Sequence, residues 1–187
     1  NATELRQVRL DLPTDETLTA VVEALRQDMS LPANSIDMHT FGTGKEMQRL
    51  CAWLDGKWLE YHTLQVLNDL APALALQDCA QNIETRDVQF DVDVVALRGY
   101  QLFALSCSTD GTKGRLKSKL FEAYIRARQL GGDEARIGLI CCGESPGELE
   151  REMRRDLDAS FNIKVLGRPH LSTLATHLTE WVQTRGQ

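Results

Sequence analysis

The sequence predicts an α/β protein, a mixed sheet covered by helices on both faces. Three observations carry this: a helical opening, two neighbouring stretches of strand pattern that form a hairpin, and a regular alternation of helix and strand afterwards. At 187 residues and 42% apolar content the chain can bury one sizeable core and is short for two full domains.

The elements follow in order. Asn1 and Ala2 read as the remnant of a cleaved tag, residues 3–40 as an N-terminal helical lead-in, and residues 41–187 as the main domain, the C-terminal part of a longer protein. From Thr14 to Met29, Leu18, Val21, Val22 and Leu25 fall on one helical face. Ser30 to Ser35, with Pro32, ends that pattern. Thr43 and Glu46 have capping-box spacing and predict a helix to about Leu54. Asp55-Gly56 predicts a turn, and Trp58, Leu59, Leu64, Val66, Leu67 and Leu70 a strongly apolar helix.

Residues 82–97 alternate polar and apolar with period two, as one half-buried strand does. Arg98-Gly99 turns the chain into a second, more completely buried strand, Tyr100 to Ser108. Lys113 to Leu130 is a basic amphipathic helix, stopped by Gly131-Gly132. Arg136 to Cys142 is a short strand, Ser145 starts a charged helix to about Ala159, Asn162 to Leu166 is a strand, and Leu171 to Thr184 closes the chain as a helix.

Composition excludes several functions. With 21 basic against 27 acidic residues the net charge is −6, which is wrong for non-specific coating of nucleic acid but leaves room for a small local groove. Mean hydropathy is −0.30, and no apolar run approaches the roughly 18 residues that span a bilayer. The five cysteines include no C-x-x-C pair, and the four histidines are scattered, so zinc-ligand spacing is absent. A cytoplasmic protein with reduced thiols and no membrane partner is expected.

Two motifs fail on chemistry. Gly42-Thr43-Gly44-Lys45 lacks the phosphate-loop pattern, with His39 where a Gly is needed and Glu46 in place of Ser or Thr. Gly143 to Gly147 spells the G-x-S-x-G elbow around Ser145, with Asp156 and His170 following in the usual order. The residue after Ser145 is Pro146, which has no N–H for an oxyanion hole. The same residues fit a helix start, with Ser145 at N-cap, Pro146 at N1 and Glu148 at N3.

An acidic constellation survives. Asp91 and Asp93 share one strand face, and Asp93 sits among Val92, Val94 and Val95, where an inward carboxylate must be paired or metal-bound. Glu60 lies on the preceding apolar helix. Carboxylates converging from separate elements suit Mg²⁺, which takes oxygen ligands. On spacing alone, this reading and that of a solvated edge strand stand even.

Gly56 to Tyr61, Phe90 to Val95, Leu102 to Thr109 and Gly131 to Ile137 together resemble the restriction-endonuclease-like (PD-(D/E)xK) superfamily. More narrowly, they look like the C-terminal nuclease domain of the cyclic-oligoadenylate-activated effectors of type III CRISPR systems. The resemblance covers roughly Phe41 to Trp181. It implies a restriction-endonuclease-like mixed sheet, a nuclease acting on DNA or RNA, and a Mg²⁺ or Mn²⁺ ion held by Asp93 and Glu60, with Asp91 beside them. It also implies a homodimer, and a cyclic oligonucleotide bound only through a preceding domain.

The next strand departs from the family pattern. Where Glu-x-Lys is expected, Ser106-Cys107-Ser108 stands, so the resemblance implies an impaired or inactive site. Ser106 and Ser108 are expected to face the same cavity as Asp93, with Lys119 a candidate for the displaced lysine and Glu122 beside it on the same helix. Lys113, Arg115, Lys117 and Lys119, with Arg126 and Arg128 further along, are the basic concentration of the chain. They read either as a solvated helix face or as a nucleic-acid groove flanking the site.

Overall fold

The computed structural model describes residues 9–11, 23, 26, 35–37, 44–84, 91–157 and 162–184. The chain forms two compact units, residues 1–62 and 63–187.

In the first unit, β1 (Arg9–Asp11) pairs antiparallel with β2 (Ser35–Asp37), so the expected helical lead-in contains strand as well. Glu23 and Arg26 are helical, and the rest of the helix predicted over 14–29 lies outside the described residues. Helix α1 (Gly44–Ala52) buries Met47 and Leu50 on one side; its expected cap, Thr43, also lies outside the described residues. The turn predicted at Asp55-Gly56 is instead a π-helical turn, Trp53–Lys57, kinked at Gly56. Its wide turn keeps Trp53 buried while the chain changes direction into α2 (Trp58–Leu74). The residues of α2 divide between the units at His62 and Thr63.

The second unit holds a five-stranded mixed sheet in strand order β3 to β7. The strands are β3 (Asp78–Glu84), β4 (Asp91–Arg98), β5 (Gln101–Ser108), β6 (Arg136–Cys141) and β7 (Ile163–Leu166). The first three are antiparallel neighbours and the last two join in parallel. The parallel pairings are linked by α3 (Lys113–Gly131) and α4 (Pro146–Asp156), and α5 (Leu174–Gln183) ends the chain after a 3₁₀ stretch, Arg168–Thr173. The α/β class is as the sequence predicts.

One predicted strand is two. Both β3 and β4 keep period two, so the alternation over 82–97 runs on through a chain reversal, and residues 85–90, outside the described residues, contain neither Gly nor Pro to mark it. Asn82 takes a left-handed φ of 53°, which Asn tolerates better than most residues.

The two faces of the sheet differ. Leu102, Ala104, Ile137, Leu139 and Val165 pack with Leu116, Leu120, Ala123 and Ala127 of α3 and with Leu149 and Met153 of α4. Gly131 allows this close approach, since a Cβ there would lie 2.7 Å from the Leu102 Cβ. On the opposite face Phe103 meets Trp181 of α5 edge-on at 5.4 Å. The buried Arg136 guanidinium lies over both rings and donates to the Thr184 carbonyl at 2.6 Å, while Arg98 donates to the Val182 carbonyl at 3.0 Å. Both arginines thus sit at the negative end of the α5 dipole, which offsets the cost of burying Arg136.

Candidate functional site

Asp93 is positioned by the β4–β5 register. Val94 pairs with Leu105, so one step further along sets Asp93 opposite Ser106. Both belong to the face that packs on α3, in a row otherwise apolar: Leu102, Ala104, then Ser106, which is 7% exposed. A carboxylate placed there needs donors, and the structure supplies three to a single oxygen. Asp93 Oδ2 accepts the Ser106 hydroxyl at 2.9 Å and the Cys107 N–H at 2.6 Å, and the Lys119 ammonium lies 3.2 Å away. Lys119 reaches this point from the second turn of α3 and also donates to the Cys107 carbonyl. Strand β5 is therefore gripped on both sides of Cys107, by Asp93 at its N–H and by Lys119 at its C=O.

These groups line a cavity of about 200 Å³ together with Val92, Glu122, Ala123 and Arg126. Glu122 and Arg126, one helical turn apart, form an ion pair. Among the described residues the charged lining is two acids and two bases, Asp93 and Glu122 against Lys119 and Arg126.

Ser108 does not line the cavity; its hydroxyl accepts the Asp110 N–H at 3.3 Å. Asp91 is the first residue of β4, and its side chain lies outside the described residues. Glu60 is in the first turn of α2 and belongs to the other unit. Among the described residues no three His, Cys, Asp or Glu side chains gather as a metal would need. Asp93 brings one carboxylate oxygen already saturated by donors, and an ammonium occupies the neighbourhood in which a cation would sit. These described groups by themselves do not make the set of several oxygen ligands in near-octahedral order that Mg²⁺ demands.

The basic helix is also committed. Lys113 binds Glu148 at 2.9 Å and Glu152 at 3.0 Å, Lys117 binds Glu152 at 2.7 Å and Asp156 at 3.4 Å, and Arg115 binds Asp110 at 2.9 Å. Glu148, Glu152 and Asp156 recur every four residues along α4, opposite Lys113 and Lys117 at the same spacing on α3. Hydrogen bonds from Lys117 and Lys113 hold the Glu152 carboxyl down to about 2. Hydrogen bonding to Lys113 likewise lowers Glu148, and both lysines are pushed above their ordinary range by these partners. This acidic ladder was readable in the sequence as an i, i+4, i+8 pattern. The Cys107 backbone, the tightest partner of Asp93, leaves no sequence signal. Glu148, expected to close a capping box, reaches Lys113 instead, and Ser145 makes no side-chain cap bond. His170, which follows the rejected elbow motif in triad order, accepts the Gly167 N–H at 3.1 Å and lies against His177.

No protein-family model matches the chain, and neither does any curated protein. Among solved structures it is similar to protein VC1899 from Vibrio cholerae, at 21% identity and a TM-score of 0.62 over 97% of this chain and 49% of that one. It is also similar to Can2 from Sulfobacillus thermosulfidooxidans, solved in complex with cyclic tetra-adenylate, at 17% identity and a TM-score of 0.60 over 98% of this chain and 49% of that one. The chain spans about half the length of each. No described helix is long and apolar enough to cross a membrane. At these identities the likeness establishes a shared fold, an α/β mixed sheet flanked by helices.

Proposed function

We propose that this chain is the nuclease-like module of a CRISPR-type defence protein, and that its hydrolytic site has become a salt-bridged structural one. The observation that carries this reading is the trio of donors on Asp93 Oδ2, one of them the Lys119 ammonium. In-line attack on a phosphodiester builds negative charge that a metal and a free cation must offset. Here Lys119, the cation bound to the carboxylate, is spent on it, and Ser106 supplies a neutral hydroxyl where the PD-(D/E)xK pattern has Glu. The module then serves by binding nucleic acid or a second copy of itself. A cyclic oligoadenylate, the ligand class in the Can2 structure, acts through a domain preceding this one. A working nuclease whose lysine has moved to α3 is the competing reading, and it draws on the same placement of Lys119.

Cleavage separates the two. The 187-residue chain is incubated with labelled single- and double-stranded DNA and RNA in Mg²⁺ or Mn²⁺. No cleavage above background is expected, and Ser106→Glu with Ser108→Lys should raise it, the pair acting more than either single change. Brisk cleavage by the unmodified chain, abolished by Asp93→Asn, would establish the competing reading.

A further inference from the structure

We propose that the Lys119 ammonium is the resident cation of the Asp93 pocket and keeps divalent metal out of it. The inference rests on the reading of a nuclease-like module and adds what replaced its metal.

The geometry gives Lys119 two fixed acceptors, Asp93 Oδ2 at 3.2 Å and the Cys107 carbonyl. An ammonium held on two sides by a strand and its neighbour is a positioned group rather than a wandering surface charge. Its side chain is 37% exposed and that of Asp93 15%, so screening of the pair is incomplete. A divalent ion approaching Asp93 Oδ2 would meet this like charge at contact range, and the oxygen's remaining directions point at the Ser106 hydroxyl and the Cys107 N–H. Among the described lining residues the other acid, Glu122, is itself paired with Arg126. The pocket therefore meets the electrostatic need of a buried carboxylate from within the chain. Its integrity is independent of metal. Deleting the ammonium leaves Asp93 and the Ser106 oxygen beside a cavity of about 200 Å³, which is room for a hydrated cation.

The test uses the full 187-residue chain, with Mn²⁺ as the probe, read by calorimetric titration and by melting temperature. Wild type should show no saturable Mn²⁺ binding through Asp93, and neither Mn²⁺ nor EDTA should move its melting temperature. Lys119→Met should bind Mn²⁺ at least about tenfold more tightly, and Asp93→Asn added to it should abolish the gain. Lys119→Gln, which keeps a donor for the Cys107 carbonyl, serves as a second neutral variant if Lys119→Met folds poorly. The proposal is overturned if wild type binds Mn²⁺ and Asp93→Asn removes that binding, or if neither neutral variant binds better than wild type. Cleavage measured on the same samples keeps the two ideas apart. Metal bound through Asp93 without cleavage overturns the resident cation alone, whereas Asp93-dependent cleavage overturns the proposed function.

Discussion

Helix α3 sends its lysines to two very different destinations. Lys113 and Lys117 face α4 and meet an acidic ladder at the surface, where each cation has more than one carboxylate to choose from. Lys119 faces the hairpin and meets one carboxylate, Asp93, in a row of buried apolar side chains. Solvent and neighbouring acids can replace a partner in the first region. In the second, one oxygen of Asp93 serves the ammonium, the Ser106 hydroxyl and the Cys107 N–H together. The same residue type is thus an interchangeable clasp in one place and the fixed partner of a largely buried carboxylate in the other.

The contrast can be pushed hardest at Asp93. Asp93→Ala should destabilise the second unit by about 2–3 kcal/mol in urea denaturation, since it orphans a hydroxyl and a backbone N–H and takes one of two acceptors from an ammonium. Asp156→Ala, removing one of several acids from the ladder, should move the midpoint little, because exposed pairs contribute little after screening. Equal shifts for the two would erase the distinction drawn above. Ser106→Ala should cost about 1.5 kcal/mol, the low end for the loss of one hydrogen bond to a charged acceptor.

The ladder should show itself in acid instead. Glu152 keeps its charge in the folded protein down to about 2, against an ordinary value of 4.5. As pH falls, the unfolded chain takes up this proton first, so stability is full above about 4.5 and drains away toward about 2. Glu152→Gln should flatten that part of an acid-unfolding curve followed by circular dichroism, and an unchanged curve would show the clasp to be inert.

The sequence displayed the surface region better than the buried one. The α/β order, the basic helix, its Gly131-Gly132 stop and the i, i+4, i+8 acids are all periodic signals, and period survives translation into structure. Asp93 stood out because a carboxylate among valines needs a partner, and Lys119 was a candidate from its place just after the strand. Which partner Asp93 takes was illegible for a physical reason. Two of the groups that bind there are the Cys107 N–H and C=O, which every residue type carries. The splitting of residues 82–97 into β3 and β4 was hidden for a related reason, as period two reads the same on either side of a reversal. Ser108 was expected beside Ser106 because the resemblance sets it at the lysine of Glu-x-Lys, but the strand ends there and its hydroxyl accepts the Asp110 N–H.

The central claim, that Asp93 is held by Lys119 rather than by a metal ion, is tested most directly by a double-mutant cycle. Unfolding free energies of wild type, Asp93→Asn, Lys119→Met and the double variant are measured in EDTA, so that any metal is removed. The account predicts that the two changes are non-additive by more than about 0.5 kcal/mol, the level expected of residues in direct contact. Additivity within about 0.3 kcal/mol would mean that the pair carries no coupling, and would contradict the account.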